Sequence, residues 1–441
     1  MKRGGNGKKR TSKFKTISLL SLMKARSERM DNLNPSGLLG RLSSMMIVGV
    51  APFLPEDVIR NILKRLSVKS LIRFQCVCRY WKNLINAPSF IADHLHHSTH
   101  HNPCLLFQPK CKGLHPSQLY LLDRQMQVHQ LLNPPLFDAS RFKIKGSSNG
   151  LLCVQLCVEI NTQDTCPPPL LLWNPATRGV IKLPMIIDDF FSESDSHLGF
   201  GFSPIVNDYK IVRTYAEYEY EIYRVEVFSL STGSWKVVDF DYMAGTRFLT
   251  DAITANGSMF WTGLLIDLEM VGDDIDVIVS FDIASEVFEF VPLPAFANNA
   301  IYHPMVCQDK LAIYSHTTNA DSDCMFDLWL MEERVGASDE ERRSWTKIFS
   351  STCSSIGLLF PSIFWRNELV YNIFEIPGHG DETKCEAENG VVTFLCLLNI
   401  STNGLEMFTT TRRCGDSNAR IFNYVESLVS VGKILIEEPS S

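Results

Sequence analysis

The sequence predicts a multidomain α+β protein in which a short three-helix element is followed by an all-β, propeller-like repeat domain of about six blades. Three observations carry this prediction. Apolar residues between positions 54 and 85 recur at helical spacing. From about Asn102 onward, short apolar runs alternate with Gly, Pro, Asn and Asp, which is typical of all-β domains. Within that region similar segments return at regular intervals, which indicates repeats.

The N-terminal segment, residues 1–48, is predicted to be disordered. Residues 1–50 carry eleven Lys and Arg against two acids, and they contain little aromatic surface that could form a core. The run Gly7-Lys8-Lys9-Arg10 has the composition of a short nuclear import signal, although a solvated basic tail explains it more simply. We expect a cytoplasmic or nuclear protein.

The remaining residues are acidic, with about sixteen more Asp and Glu than Lys and Arg. This balance argues against nucleic-acid binding, which requires clustered Lys and Arg side chains for phosphate contacts. The sequence contains no secretory signal and no apolar run of about twenty residues, so we expect no membrane association. The thirteen scattered cysteines form no Cys-x-x-Cys pair and are interpreted as small core residues.

The three predicted helices lie between residues 54 and 85. Pro55 fits the first turn of a helix, where its missing N–H costs nothing. Ile59, Ile62, Leu63 and Leu66 follow at i, i+3, i+4 and i+7, and Ser67 suits the N-cap of a second helix that holds Leu71. Val77, Cys78 and Trp81 mark a third helix that ends near Ile85. Three short helices cannot bury every apolar face alone, so we expect a partner to cover part of this surface.

At these residues the chain resembles the F-box, for which residues 49–92 are the predicted limits. The match comprises Leu54-Pro55, Ile62-Leu63-x-x-Leu66, Ser70-Leu71, Arg73-Phe74 and Val77-Cys78-x-x-Trp81. Ser67 and Arg79 stand where many members have Pro and Lys. The resemblance implies docking on a Skp1-type adaptor, and through it on cullin and RING subunits. The residues expected to bind the adaptor are Leu54, Pro55, Ile59, Ile62, Leu63, Leu66, Leu71, Val77, Cys78 and Trp81.

A histidine-rich segment, residues 93–102, follows and is predicted to be a linker. It holds five of the eleven histidines. Neutral imidazoles bind zinc or copper, so a metal site is the alternative. We favour a solvated hinge, because a polar linker offers no fixed ligand geometry and the nearest cysteine is Cys104.

The repeats occupy residues 103–436. A polar turn that leads into an apolar strand begins at residues 149, 207, 256, 308 and 366, so successive units are 49–58 residues long. A second piece is a strand that ends in an aromatic residue, then a turn and another strand. Its aromatics, Trp173, Phe228, Phe281 and Trp329, are predicted to be blade-core residues. Their expected partners across each hairpin are Val180, Trp235, Phe288 and Trp345.

Units of about fifty residues match the blade length of kelch-type propellers. A ring of blades must close, because an open sheet edge invites aggregation. We therefore expect the segment Tyr424–Val429 to complete a blade with the strand near Cys104–Phe107. A β-sandwich or open repeat stack is the alternative.

The same region resembles the F-box-associated domain of plants, in the style of S-locus F-box proteins and their vegetative relatives. The match lies in SSNGLLC (147–153), LWNPATR (172–178), GFGFSPIVNDYKIVR (199–213), VEVFSLSTGSW (225–235), NGSMFW (256–261), FDLWLM (326–331) and YVESLV (424–429). The resemblance implies the non-catalytic substrate receptor of an SCF-type ubiquitin ligase that binds an unknown target protein. The alternatives are a scaffold without ligase output and a metal-dependent propeller enzyme.

No catalytic motif, phosphate loop or spaced metal cluster is found in the sequence, so we expect no catalytic residues, metal or cofactor. Gly199-Phe200-Gly201-Phe202 lacks the third glycine of a dinucleotide fingerprint and is interpreted as a strand bend. Specificity in propellers resides in connecting loops. Tyr218 and Tyr220, in one such loop, are the candidate substrate-binding residues.

Overall fold

A computed structural model describes residues 55–109, 118–123, 125–132, 141–157, 168–184, 197–217, 221–240, 243–266, 275–295, 300–318, 324–333, 343–353, 361–375, 392–410 and 419–432. The predicted disordered tail and the residues Leu54, Tyr218 and Tyr220 lie outside these ranges. The chain divides into two compact units, residues 1–63 and 64–441. The helices of the described part are α1 (Glu56–Leu63), α2 (Val68–Phe74), α3 (Arg79–Asn86) and α4 (Pro88–His101).

Helix α1 is the described element of the first unit. It begins after Pro55, whose carbonyl oxygen accepts hydrogen bonds from the backbone N–H groups of Val58 and Ile59, both at 3.1 Å. Glu56 and Asp57 occupy the first turn, where negative charge is favourable. The sequence pattern therefore predicted both the position of this helix and its start.

Helix α4 corrects the prediction of a histidine-rich hinge, because residues 93–101 are helical. Pro88 stands in the first turn, where the restricted φ of proline is compatible with a helix. Phe90, His94 and Ser98, spaced by four, form a buried stripe. The hydroxyl of Thr99 also donates to the carbonyl of Leu95 at 2.9 Å. The hinge was predicted from the polar composition of the segment, which does not reveal the buried stripe.

The strands form six antiparallel sheets, the blades of a propeller. Blade 1 contains β1 (Cys104–Gln108), β2 (Leu119–Leu122), β3 (Val128–Leu132) and β25 (Arg420–Tyr424). Blade 2 contains β4 (Phe142–Ser148), β5 (Leu151–Leu156), β6 (Leu170–Asn174) and β7 (Gly179–Lys182). Blade 3 contains β8 (Leu198–Ser203), β9 (Asp208–Glu217), β10 (Glu221–Ser229) and β11 (Ser234–Val238).

The other three blades follow in chain order. Blade 4 contains β12 (Thr246–Phe248), β13 (Ile253–Ala255), β14 (Ser258–Leu265), β15 (Ile275–Asp282) and β16 (Val287–Val291). Blade 5 contains β17 (Ile301–Cys307), β18 (Lys310–Thr318), β19 (Cys324–Glu333) and β20 (Arg343–Cys353). Blade 6 contains β21 (Pro361–Trp365), β22 (Glu368–Glu375), β23 (Val392–Asn399) and β24 (Gly404–Thr410).

The ring is closed. The innermost strands β25, β4, β8, β13, β17 and β21 neighbour one another in that order, and β21 neighbours β25. Strand β25 pairs with β1, so that Cys104 lies opposite Tyr424. The predicted pairing of the two ends is therefore confirmed, but the strand is Arg420–Tyr424 and not the predicted segment Tyr424–Val429. The strand ends at Tyr424, and residues 425–432 continue as an irregular, largely buried segment.

The hydrophobic core lies between blades. Six apolar clusters each combine residues of two adjacent blades, and together they cover all six boundaries of the ring. Trp173, Phe228 and Phe281 are buried in these clusters, as predicted, whereas Trp329 is half-buried. A blade therefore depends on its neighbours for burial of both faces.

The hairpin register was predicted correctly in three cases and wrongly in one. Val180, Trp235 and Phe288 lie opposite the predicted aromatics Trp173, Phe228 and Phe281. Trp329, in contrast, lies opposite Lys347, and Trp345 lies opposite Met331. The two strands pair without interruption from Glu333 opposite Arg343 to Trp329 opposite Lys347, so the register is set at the hairpin end, two residues from the predicted one, and spacing alone does not reveal it.

The repeated polar turns have one conformation in four blades. Two consecutive residues have positive φ at 149–150, 256–257, 308–309 and 366–367, and each pair joins two antiparallel strands. This is the geometry of a two-residue hairpin loop whose twist matches that of its strands. Asn, Gly and Asp tolerate it best, which explains the composition of the repeat.

Candidate functional site

Helix α1 presents two apolar side chains to solvent. Ile59 and Leu63 are buried, whereas Val58 and Ile62 are exposed, Ile62 by 45%. Val58 and Ile62 are four residues apart and share one helical face. Of the predicted stripe, Ile59 and Leu63 are thus buried and Ile62 faces solvent, whereas the exposed Val58 was not part of the prediction.

In the second unit, α2 and α3 show the same division. Val68 and Leu71 of α2 are fully buried, but Ile72 is exposed. Val77, in the turn before α3, is 54% exposed, and Tyr80 is also exposed. Val77 was predicted to bind a partner, whereas Ile72 and Tyr80 were missed. The sequence sign for each is a large apolar or aromatic residue that lies next to the predicted helical stripe but does not belong to it.

Cys78 and Trp81 have structural roles at the start of α3. The Sγ atom of Cys78 accepts a hydrogen bond from the backbone N–H of Trp81 at 3.5 Å and caps the helix. The indole of Trp81 is half-buried against Phe74, with ring centroids 5.2 Å apart. Of the other predicted residues, Pro55 is exposed and Leu66 is half-buried.

Two hydrogen bonds fasten the second unit's helices. The backbone N–H of Val68 donates to a carboxylate oxygen of Glu426 at 3.3 Å, which ties α2 to the segment after β25. The carbonyl oxygen of Leu66 lies 3.0 Å from Nε2 of His94 on α4. Burial lowers the pKa of His94 although that carbonyl and Glu426 favour the charged form. The neutral ring then donates to Leu66 from Nε2.

A cavity of about 440 Å³ lies between α2 and blades 1 and 2. Lys69, Ile72 and Arg73 line it from the helix, and Arg178 lines it from the turn between β6 and β7. Within the second unit, α2 is thus seated at the boundary of two blades. A partner that covers Ile72 would be held near that boundary.

The centre of the ring contains a second cavity, of about 210 Å³, lined by the innermost strands. Lys145 at its wall pairs with Asp251 at 2.8 Å. The same carboxylate accepts the backbone N–H of Leu198 at 3.0 Å, and Arg420 lies 3.8 Å from it. One carboxylate therefore joins blades 1, 2 and 3 to the segment before β13. Asp251 neutralises one of the two positive charges, and its contacts link neighbouring blades of the ring.

The propeller also exposes an apolar tip. Blade 3 joins its first two strands through a four-residue turn, where four other blades use two residues. Ile205 in this turn is 81% exposed, and its neighbour Val206 is also exposed. Sequence reasoning missed this tip, although the extra residues in the turn were a signal. The predicted contacts Tyr218 and Tyr220 lie outside the described residues.

The described residues contain no group of three or more His, Cys, Asp and Glu side chains that could hold a metal ion. The described helices include none that is long and apolar enough to cross a membrane.

The glycines of β8 correct another prediction, since the strand is regular. A Cβ atom at Gly199 would lie 2.6 Å from Trp261, and one at Gly201 would lie 2.5 Å from Thr254. These glycines allow blade 4 to approach closely.

Comparison with known proteins supplies the family. Residues 107–359 match the model of the F-box associated beta propeller domain, and residues 52–93 match the F-box domain. The chain is 28% identical over 349 residues to F-box protein CPR1 of Arabidopsis thaliana, covering 71% of this chain and 78% of that protein. It is 26% identical over 306 residues to Putative F-box protein At5g62660 of the same plant, covering 64% and 75%.

Proposed function

This chain belongs to the F-box-associated β-propeller family and carries an F-box, and we propose from this premise that it is the substrate receptor of an SCF-type ubiquitin ligase. The F-box helices bind a Skp1-type adaptor that leads to cullin and RING subunits. The propeller binds a target protein. Tethering makes the encounter of the target with the charged conjugating enzyme effectively intramolecular. The receptor contributes no catalytic residue.

One observation carries the proposal. Within the F-box match, Ile62, Ile72 and Val77 expose large apolar side chains while their neighbours Leu63 and Leu71 are buried. Large apolar side chains that stay exposed this close together in sequence indicate a segment that a partner covers. The exposed residues are thus the proposed adaptor contacts, and the buried ones support the helices that carry them.

Adaptor binding is tested with the full chain and a purified Skp1-type adaptor. Val77→Asp places a charge on a side chain that is 54% exposed, so the free protein should fold while the charge opposes burial in a complex. We expect binding to weaken at least tenfold, about 1.4 kcal/mol. The matched control is Val237→Asp on β11, where the valine is 62% exposed. Equal binding by both variants would refute the proposal.

Ligase output is tested separately. Affinity purification under proteasome inhibition should identify proteins that bind the propeller, and each is then offered to the reconstituted complex with ubiquitin and a conjugating enzyme. Ubiquitin transfer that depends on the receptor is the expected result. If a bound protein is never modified, although the adaptor binds, the scaffold alternative is correct. The Ile205–Val206 tip and the predicted loop residues Tyr218 and Tyr220 are the proposed contact regions, and their substitution should reduce capture.

A further inference from the structure

The C-terminal half of helix α4 displays two pairs of histidines spaced by four residues. The rings of His96 and His100 have centroids 4.4 Å apart, and those of His97 and His101 have centroids 4.2 Å apart. In both pairs the rings are stacked. Two histidines at i and i+4 on one helix face can bind a single zinc ion, as the helical His-x-x-x-His spacing of metalloproteases does.

Hydrogen bonds orient the second ring of each pair. Nδ1 of His100 lies 3.1 Å from the carbonyl oxygen of His96, and Nδ1 of His101 lies 2.9 Å from that of His97. A neutral imidazole that donates from Nδ1 to a carbonyl leaves a lone pair on Nε2. Metal-binding histidines use the same kind of partner, because the carbonyl fixes the tautomer; rotation of the two rings out of the stack would bring both lone pairs onto one ion.

In the pair His97 and His101, the two ring nitrogens of His97 differ. Nδ1 of His97 is buried and has no hydrogen-bond partner among the described residues. Its Nε2 atom is thus the nitrogen that can receive a ligand. His96, His100 and His101 are exposed, so an ion can reach both pairs without rearrangement of the helix.

We propose that each histidine pair on α4 binds one borderline divalent cation, of the zinc or copper class, through one imidazole nitrogen from each ring. Two protein ligands leave the other coordination positions to water. Neutral imidazole suits zinc, copper and nickel, whereas magnesium and calcium require oxygen ligands. The pairs lie in the last turns of α4, directly before Asn102 and strand β1. Bound metal would stiffen the connection between helices α2–α4 and blade 1.

The test uses the full chain, stripped of metal, and Zn²⁺ as the probe in calorimetric titrations. His100→Ala breaks one pair, and His100→Ala with His101→Ala breaks both. Alanine has the highest helix propensity, so the helix should persist. We expect the number of bound ions to fall by one and then by two relative to the unchanged chain. His129→Ala, an exposed histidine of β3, is the control and should bind as the unchanged chain does.

A second pair of substitutions separates loss of the imidazoles from unfolding of the helix. His100→Gln with His101→Gln retains side chains that can donate to the same carbonyls but removes the imidazoles, and it should lose the same two ions. Zn²⁺ should raise the melting temperature of the unchanged chain more than that of either double variant. The proposal is overturned if the double variants bind as many ions as the unchanged chain, or if His129→Ala loses as many as they do.

Discussion

The side-chain amide of Asn174 donates a hydrogen bond to the backbone oxygen of Ser427 at 3.1 Å, although 253 residues separate the two. The same amide donates to the backbone oxygen of Val429 at 2.7 Å. Its own oxygen accepts the backbone N–H groups of Ala176 and Thr177. One side chain therefore shapes the turn after β6 and fastens the segment after β25 across blade 2.

Replacement of Asn174 by Ala should lower the free energy of unfolding by about 2–3 kcal/mol, because two backbone oxygens lose their donor in a buried setting. The control is Asn399→Ala. Asn399 caps the corresponding turn of blade 6 through Ser401 and Thr402, but its amide binds Glu368 and no terminal segment. Thermal unfolding of both variants measures the difference. An equal loss would show that the turn, and not the terminal segment, accounts for the effect.

Leu71 and Ile72 should separate stability from partner binding. Leu71 is fully buried, so Leu71→Ala should cost about 2–5 kcal/mol of unfolding free energy. Ile72 is exposed, so Ile72→Ala should change stability by less than about 0.5 kcal/mol and weaken adaptor binding. Urea unfolding and adaptor titration on the same preparations check this. If Ile72→Ala lowers stability and Leu71→Ala does not, Leu71 does not support the helix and Ile72 is not a contact residue.

Phe281 and Trp329 were predicted to be equivalent, but the structure separates them. Phe281 is fully buried opposite Phe288, with ring centroids 4.7 Å apart, so Phe281→Ala should cost about 3–5 kcal/mol. Trp329 is half-buried, with the ammonium of Lys347 4.7 Å from its ring centroid. Trp329→Ala should therefore cost clearly less. If Trp329→Ala lowers the melting temperature as much as Phe281→Ala does, Trp329 is a core residue after all, and the smaller cost expected here is wrong.

Gly199 should not accept a side chain. Its Cβ would meet the sulfur of Met259 and the indole of Trp261, both at 2.6 Å, in the core between blades 3 and 4. Gly199→Ala is expected to lose about 1–3 kcal/mol through overpacking. Gly404→Ala is the control, because its Cβ would meet only the hydroxyl of Thr402, at 3.1 Å. Denaturant midpoints that shift equally would refute the close approach of the two blades.

Glu286 should make the propeller sensitive to acid. Burial alone would raise its pKa, but the hydrogen bonds and charges of Lys210 and Lys236 outweigh burial and lower the pKa below 4.5. Lys210 is buried and lies 2.5 Å from the carboxylate, across the boundary of blades 3 and 4. A lowered folded-state pKa stabilises the protein at pH above the unfolded value, and this contribution is lost as pH falls through the folded value.

The measurement is unfolding free energy against pH for the unchanged chain and Glu286→Gln. The difference should be about 1.5–3 kcal/mol near neutral pH and should shrink below about pH 4.5. Glu289→Gln removes the partner of Arg343 in an exposed pair and should cost less than about 1 kcal/mol. A difference between the unchanged chain and Glu286→Gln that does not depend on pH would contradict the ion pair.

Features with local causes could be read from the sequence. The hairpin turns were visible because positive φ at two positions selects Asn, Gly and Asp, and the start of α1 was visible because Pro55 and the apolar spacing agree. The spacing of the repeats indicated the propeller, and the family resemblance supplied the F-box and the F-box-associated domain. Features with long-range causes were missed. The buried stripe of α4 depends on what covers it, and the pairing of Trp329 depends on the register of its partner strand.

The same limit applies to the candidate site. Apolar spacing located the helices but could not separate Ile62, which faces solvent, from Leu63, which is buried. Both residue types are hydrophobic, and only the tertiary packing decides which face is covered. The salt bridge between Lys145 and Asp251 joins residues 106 apart, and no local pattern predicts it.

The pairing of β1 with β25 has a consequence for biosynthesis. Strand β1 is synthesised early in translation, but its inner neighbour, Arg420–Tyr424, is made more than three hundred residues later. At translation speeds of about 5–20 residues per second, the inner edge of blade 1 lacks its partner for tens of seconds. During that interval the nascent chain has a free sheet edge that chaperones can occupy. A chain that is truncated before residue 420 would contain all of the helices, but its ring of blades would be open.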